Sequence, residues 1–285
     1  MRINQVKTIA RQAFDRLVEA VEAGKSDVLK EYLEAMAKFH HYSAGNAILI
    51  GFQKPDATHV AGFRTWRRLG RYVKKGEHGI AIMAPVVYHK KKQPEEADDK
   101  ETQDEVVATF KTVHVFDISQ TDGKPLPDFA RVGGDPGVYA GRLREYVASK
   151  GIKLEYSNKI GSADGASSGG LIRLKKGLAL GEELSVLVHE LAHEMLHADK
   201  DNTLKDKKVR ETEAEAVAFV VCHGIGLDTN SASSDYIQLY NGDKKTLLQS
   251  LERIQRTAAE ILTAVMDKGS ACVTAGVESC VAVAA

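Results

Sequence analysis

The sequence predicts an α+β fold in two successive parts: a helical and β N-terminal part, then a second α+β part. Three observations carry this reading. Apolar residues recur at helical spacing through residues 1–39, and two later stretches, 79–88 and 106–118, have the apolar character of strands. A segment rich in Gly, Pro and Asp at 119–137 then separates these from a further run of helices.

Along the chain, Ile9, Ala13, Phe14, Leu17 and Val21 stripe a first helix, and Val28, Leu29, Tyr32, Leu33, Met36 and Phe39 a second. Gly24 reads as the stop between them and Ser26-Asp27 as the N-cap of the second. A third helix is expected over 43–53, before Pro55, and a short basic helix over 61–70 (AGFRTWRRLG). The two strands that follow flank a charge switch. His89, Lys90, Lys91 and Lys92 precede seven acidic side chains in 95–105, which reads as a solvated hairpin tip. The predicted division is a domain over 1–122, a linker over 123–136, a domain over 137–268 and a poorly ordered tail over 269–285. The second domain is expected to hold a helix at 138–149, a strand near 152–156, a Gly/Ser loop at 161–170 and a strand at 171–174. Helices at 181–198, 208–224 and 243–267 complete it.

Composition narrows the function classes. The 285 residues are 43% hydrophobic, enough for a real core, and 39 basic side chains balance 39 acidic ones. Cys222, Cys272 and Cys280 follow no paired spacing, which argues against a disulfide scaffold and a thiolate metal site and favours a reducing cytoplasm. The N-terminus lacks the apolar run of a signal peptide, and no stretch approaches the ~18–20 apolar residues of a membrane span. A cytoplasmic protein without a membrane partner is expected.

The strongest chemical signal is VLVHELAHEMLH at 186–197. His189 and His193 are four apart, so on a helix they differ by only ~40° in direction and both imidazoles can reach one ion. Glu190 lies beside that ion as a general base. This is the HExxH arrangement of a helical Zn2+ site, and Leu184, Leu187, Val188, Leu191 and Met195 supply the apolar stripe such a helix needs. A catalytic zinc generally takes a third protein ligand. Three candidates are present. His197 has turned ~80° away from His189 on the same helix. Asp199 stands where a second histidine-type motif would place its last ligand, but that motif needs a glycine where this chain has Leu196. In RETEAEAVAFVV at 210–221, Glu211 and Glu215 share a helix face beside the apolar Ala214, Val217, Ala218 and Val221. Glu211 as ligand, with Glu215 accepting from a ligating imidazole, would resolve both carboxylates. Ordinary solvated charge paired with Arg210 is the alternative.

A second cluster is basic. Arg64, Arg67, Arg68, Arg71, Lys74, Lys75, Lys90, Lys91 and Lys92 stand against a single acid, Glu77, with Phe63, Trp66 and Tyr72 interleaved. Cations neutralise phosphates and exposed rings stack on unpaired bases, so Arg64, Trp66, Arg67, Arg68, Arg71, Lys74 and Lys75 are the candidate nucleic-acid contacts. The competing reading makes Trp66 and Phe63 core residues and the arginines merely solvated.

HELAHEMLH followed by ETEAE resembles the gluzincin pattern HExxH…ExxxD/N/E, and in particular the zincin-like domains of the ImmA/IrrE group and of ArdC-type antirestriction proteins, over roughly 135–226. The resemblance implies a zincin-like metallopeptidase domain in which Glu211 is the third ligand. Peptide hydrolysis is the implied reaction, with Glu190 taking the proton of a zinc-activated water and passing it to the leaving amine. It also implies that GGLIRL at 169–174 is the edge strand that pairs with an extended substrate. Residues 40–85, HHYSAGNAILIGFQKPDATHVAGFRTWRRLGRYVKKGEHGIAIMAP, resemble the N-terminal domain of ArdC-type proteins, which is linked to single-stranded DNA, and VFDISQTDGKPLP at 115–127 fits the same family. The segments 89–105 and 269–285 match no motif of either family.

The expected function is therefore a single-stranded-DNA-binding, mobile-element or antirestriction-type protein with a zinc metallopeptidase-like domain. Duplex DNA and a protein substrate are further candidate partners. The alternatives are a regulatory zinc metallopeptidase cleaving a repressor-like protein, and a non-catalytic DNA-binding protein stabilised by its metal.

Overall fold

The computed structural model describes residues 3–89, 106–125, 136–160, 163–197, 207–227 and 244–266. Lys90, Lys91, Lys92 and the acidic run of the expected hairpin tip lie outside the described residues, as do Asp199, most of the expected linker and the tail.

The fold is α+β. Helices α1 (Ile3–Glu22), α2 (Ser26–Lys38) and α3 (Ala44–Gln53) open it. The first buries Val6, Ala13, Leu17, Val18 and Val21 along one stripe. Gly24 ends it at φ 74°, a left-handed conformation that glycine adopts without steric cost. The expected Ser26-Asp27 cap does not form: Lys25 occupies the cap position without a side-chain bond. Ser26 is the first helical residue, and Asp27 sits in the first turn, where the helix field favours an acid. Ser43 caps α3, its hydroxyl accepting from the Asn46 amide at 3.4 Å.

Next come β1 (Val60–Gly62), α4 (Phe63–Arg68), β2 (Arg71–Val73), β3 (Ile80–His89), β4 (Val106–Asp117), a 3-10 turn at Ile118–Gln120 and β5 (Thr121–Gly123). The basic helix is shorter than 61–70 because Ala61 and Gly62 pair with Phe116 and Val115 as strand, and because Gly70 turns at φ 74° into β2. Strands β1, β4 and β3 form an antiparallel sheet in that order, and β2 pairs with β5. The outer edge of β3 is closed by two amide side chains of α3. Asn46 donates to the Met83 carbonyl (2.8 Å) and accepts its N–H (3.0 Å), and Gln53 does the same with Ala81 (2.8 and 3.0 Å). Buried Asp117 accepts the amides of Thr58 (2.7 Å), His59 (3.0 Å) and Ser119 (2.9 Å), fixing the segment that leads into β1.

The second part runs α5 (Pro136–Ser149), β6 (Lys153–Tyr156), β7 (Gly165–Ser167), β8 (Leu171–Leu174), α6 (Leu180–His197), α7 (Lys207–Gly224) and α8 (Lys244–Met266). Its sheet has the order β6-β8-β7, with β6 parallel and β7 antiparallel to β8. This corrects two expectations. The loop at 161–170 contains a strand, and GGLIRL is the central strand of its sheet rather than an edge. Ile172 and Leu174 are fully buried, because alternate side chains of this strand face the helical layer that includes α6. The outer strands of this sheet are β6 and β7, and of these Gly165–Ser167 borders the cleft that holds His189 and His193.

One hydrophobic core runs through both parts. It takes in Leu29, Leu33 and Met36 of α2, Ile50 of α3, Leu187 and Leu191 of α6, Val217 and Val221 of α7, and Leu251 and Ile254 of α8. Helix α2 packs on α7, and α7 lies against both α6 and α8. A buried glutamine of α8, Gln255, points its amide at the carbonyls of Met36 (3.4 Å), Phe39 (3.3 Å), His40 (3.4 Å) and Tyr42 (3.0 Å), where α2 ends. Among the described residues no helix is long and apolar enough to cross a membrane.

Candidate metal centre

Helix α6 faces the core with Leu184, Leu187, Val188, Leu191 and Ala192, which turns His189 and His193 toward the cleft between α6, α7 and β7. Its first turn is tied down by Glu183, which accepts from Arg144 of α5 (2.5 Å) and from the Tyr156 hydroxyl of β6 (2.7 Å). Helix α7 brings Glu211 to the same place.

The Nε2 atoms of His189 and His193 are 3.1 Å apart, and one Glu211 oxygen lies 3.5 Å from the first and 3.3 Å from the second. Four tetrahedral ligands at ~2.0–2.1 Å from an ion are about 3.3 Å from one another. The triangle therefore has the size that a single zinc-like ion sets. Burial, then the charge of His189, lower the pKa of His193, against the opposing pull of Glu211, so its ring is held in the neutral form that ligates. Among the described residues these are the three His, Cys, Asp or Glu side chains whose donor atoms converge as a metal site does. A divalent cation fits this donor set.

Glu190 is 8% exposed, at the meeting of two cavities. A β-carbon on Gly165 would come within 2.8 Å of a Glu190 carboxylate oxygen, so the backbone of edge strand β7 lies directly on this side chain. The turn after β7 is held by Glu194, whose two oxygens accept the amides of Gly169 (2.9 Å) and Gly170 (2.7 Å). Glu215 lines the cavity of ≈ 400 Å³ on one side of Glu190, with Asp164 and Phe219. The cavity on the other side, ≈ 730 Å³, is lined by Ser167, Glu194, His197 and Arg210 among others.

Sequence reasoning overlooked Glu213. It is fully buried and is held by Arg253 and by the Ser250 hydroxyl (2.7 Å), with the His197 Nε2 3.6 Å away. Its spacing of four and seven from Val217 and Val220 marked it as the inward carboxylate of α7. His197 is thus turned toward Glu213 and away from the triangle.

The described members of the basic cluster lie elsewhere, and none of them lines either cavity. Arg64, Arg67, Arg68, Lys74 and Lys75 are exposed. Trp66 is not: it is 2% exposed and its indole N–H donates to the Phe116 carbonyl at 2.8 Å, so it anchors α4 and cannot stack on a base. Arg71 is also committed, donating to the Thr121 hydroxyl (2.8 Å) and to the carbonyls of Lys124 (2.6 Å) and Thr121 (3.1 Å). The exposed rings within this cluster are Phe63 (48%) and Tyr72 (57%).

Residues 7–116 match the family model for the N-terminal domain of anti-restriction factor ArdC, and residues 147–223 match that of the IrrE N-terminal-like domain, an M78 peptidase family. The chain is thus similar to an ArdC-type N-terminal domain in its first part and to an IrrE N-terminal-like domain in its second. The first match takes in β1, β3 and all but the last residue of β4, and the second takes in helix α6 and Glu211. The whole arrangement is similar to two crystal structures of antirestriction protein ArdC from the R388 plasmid. The metal-free one has 19% identity and a TM-score of 0.53, over 90% of this chain and 97% of that one. The structure described as Mn(II)-bound has 18% identity and a TM-score of 0.54, over 92% and 99%. At these identities the likeness concerns the fold. An uncharacterized Bacillus anthracis protein, pXO2-81, is 26% identical over 308 aligned positions covering 93% of this chain, which spans about half (52%) of that relative's length.

Proposed function

We propose that this is a cytoplasmic, mobile-element antirestriction-type protein that binds single-stranded DNA through its ArdC-type domain and carries a zinc peptidase site in its IrrE-type domain. The observation that carries the metal half is the triangle of 3.1, 3.3 and 3.5 Å between His189, His193 and Glu211. These three side chains would hold the ion. Bound there, zinc supplies Lewis acidity toward a carbonyl and lowers the pKa of a water. Glu190, set between that position and β7, takes the proton and returns it to the leaving amine. The free edge of β7 offers backbone groups to an extended peptide, and Gly165 keeps that edge close to Glu190. Glu215 borders the same site from α7, where it would accept from a ligating imidazole and fix its orientation.

Single-strand binding rests on exposed Arg64, Arg67, Arg68, Lys74 and Lys75 beside the exposed rings of Phe63 and Tyr72. Phosphate contacts of this kind release counterions, so affinity falls with salt.

Two experiments test the halves separately. Elemental analysis should find one zinc per chain, lost in His193→Ala and kept in Glu190→Gln. Peptide-library cleavage should fall by ~10²–10⁴ in Glu190→Gln. Stoichiometric zinc in His193→Ala rejects the ligand set. For DNA, the paired reversal Arg67→Glu/Arg68→Glu should weaken single-strand binding for all sequences alike and reduce the log–log salt slope by about 0.7 per lost phosphate contact. A salt-insensitive interaction rejects this surface.

A further inference from the structure

Of the charged residues that line the ≈ 730 Å³ cavity, Arg210 is the one with no task in the centre described above. It sits on α7 one residue before Glu211 and is the one Lys or Arg among the residues that line the cavity. Its Nε is buried without a hydrogen-bond partner among the described residues. The acids around it are otherwise engaged. Glu194 is bound to the turn amides, Glu211 lies against the two imidazoles, and Glu213 is enclosed with Arg253.

A cationic side chain kept at a cleft without a facing anion is costly, and a ligand carboxylate within the cavity offsets that cost. The guanidinium fork is shaped for two parallel bonds to one carboxylate. We propose that Arg210 is a specificity residue that receives a carboxylate of the bound peptide, so that the cleft selects acidic or C-terminal segments. This rests on reading the cleft as a peptide site.

The test uses zinc-loaded full-length protein and three peptide hydroxamates of equal length, with binding measured by calorimetry. One ends in a glutamine amide and is neutral. One ends in a glutamate amide and offers a side-chain carboxylate. One ends in glutamine with a free C-terminus. Either acidic probe should bind at least tenfold more tightly than the neutral one, and which of them does so identifies the source of the carboxylate. Arg210→Gln should abolish this discrimination and leave neutral-probe affinity within about twofold and zinc stoichiometric. Arg210→Lys should retain part of it, because the charge survives and the fork does not. Equal binding of all three probes by the unmodified protein overturns the role of Arg210 and leaves the peptide site standing. Failure of every hydroxamate to bind the zinc-loaded protein overturns the peptide site, and this proposal with it.

Discussion

His40 ends the turn after α2, its ring 3.9 Å from that of His41 and its Nδ1 3.2 Å from the Ala37 carbonyl. Burial, and then the charge of His41, push its pKa down to about 4, against the opposing bond to Ala37. A depressed pKa means that folding favours the neutral ring. The associated stability is present above the ordinary value of 6.5 and is lost as pH falls from there toward about 4. Resistance to denaturant should therefore fall as pH drops through that interval, and His40→Gln should flatten that part of the profile. An unchanged slope in the variant rejects the assignment. Glu213 makes the opposite use of burial: it stays among apolar neighbours because Arg253, Ser250 and His197 surround it. Removing a partner from such a pair typically costs ~3–5 kcal/mol, so Arg253→Met should rank among the most destabilising changes in α8. Chemical denaturation checks this, and a loss under ~1 kcal/mol would show that Glu213 is satisfied without it.

At the level of elements, amide side chains do work usually left to strands and caps. Asn46 and Gln53 finish the edge of β3, which would otherwise offer unpaired backbone groups to other chains. Gln255 reaches across to the end of α2 and meets four carbonyls. Gln255→Ala should lower the unfolding free energy by ~1–3 kcal/mol, measured in urea. No measurable change would mean that those carbonyls find other donors. These contacts also mark where the sequence was legible. Long periodic helices and the β3 and β4 strands could be read because burial repeats many times within each. The strand Gly165–Ser167 could not, since three small residues carry no alternation. The edge position of GGLIRL was misjudged for the same reason: without β7, nothing indicated a neighbour on its far side. His189, Glu190 and His193 are legible as one helical motif. Trp66 was ambiguous because a ring among arginines looks alike whether it faces solvent or core, and only the Phe116 carbonyl decides it.

For the molecule as a whole, the shared core ties the two sequence parts into one thermodynamic object. Helices α6 and α7 carry the candidate ligands and also support α2 and α8. Zinc should therefore raise the melting temperature of the full chain as one transition, with stabilisation of ~2.7 kcal/mol at a free concentration 100 times Kd. Calorimetry checks this, and a separate N-terminal transition indifferent to zinc would show that the parts melt independently. Helix α6 has one more consequence at this scale. Adjacent residues on it, His193 and Glu194, point to different tasks: one toward the imidazole pair, the other clamping the turn that follows β7. The helix thus works as a machinist's jig. Ion position and strand edge are referenced to the same rigid bar, so a tilt of α6 carries both together and the gap between them keeps its gauge. Loosening elsewhere in the protein changes how often the jig is assembled, but not the dimension to which it is cut.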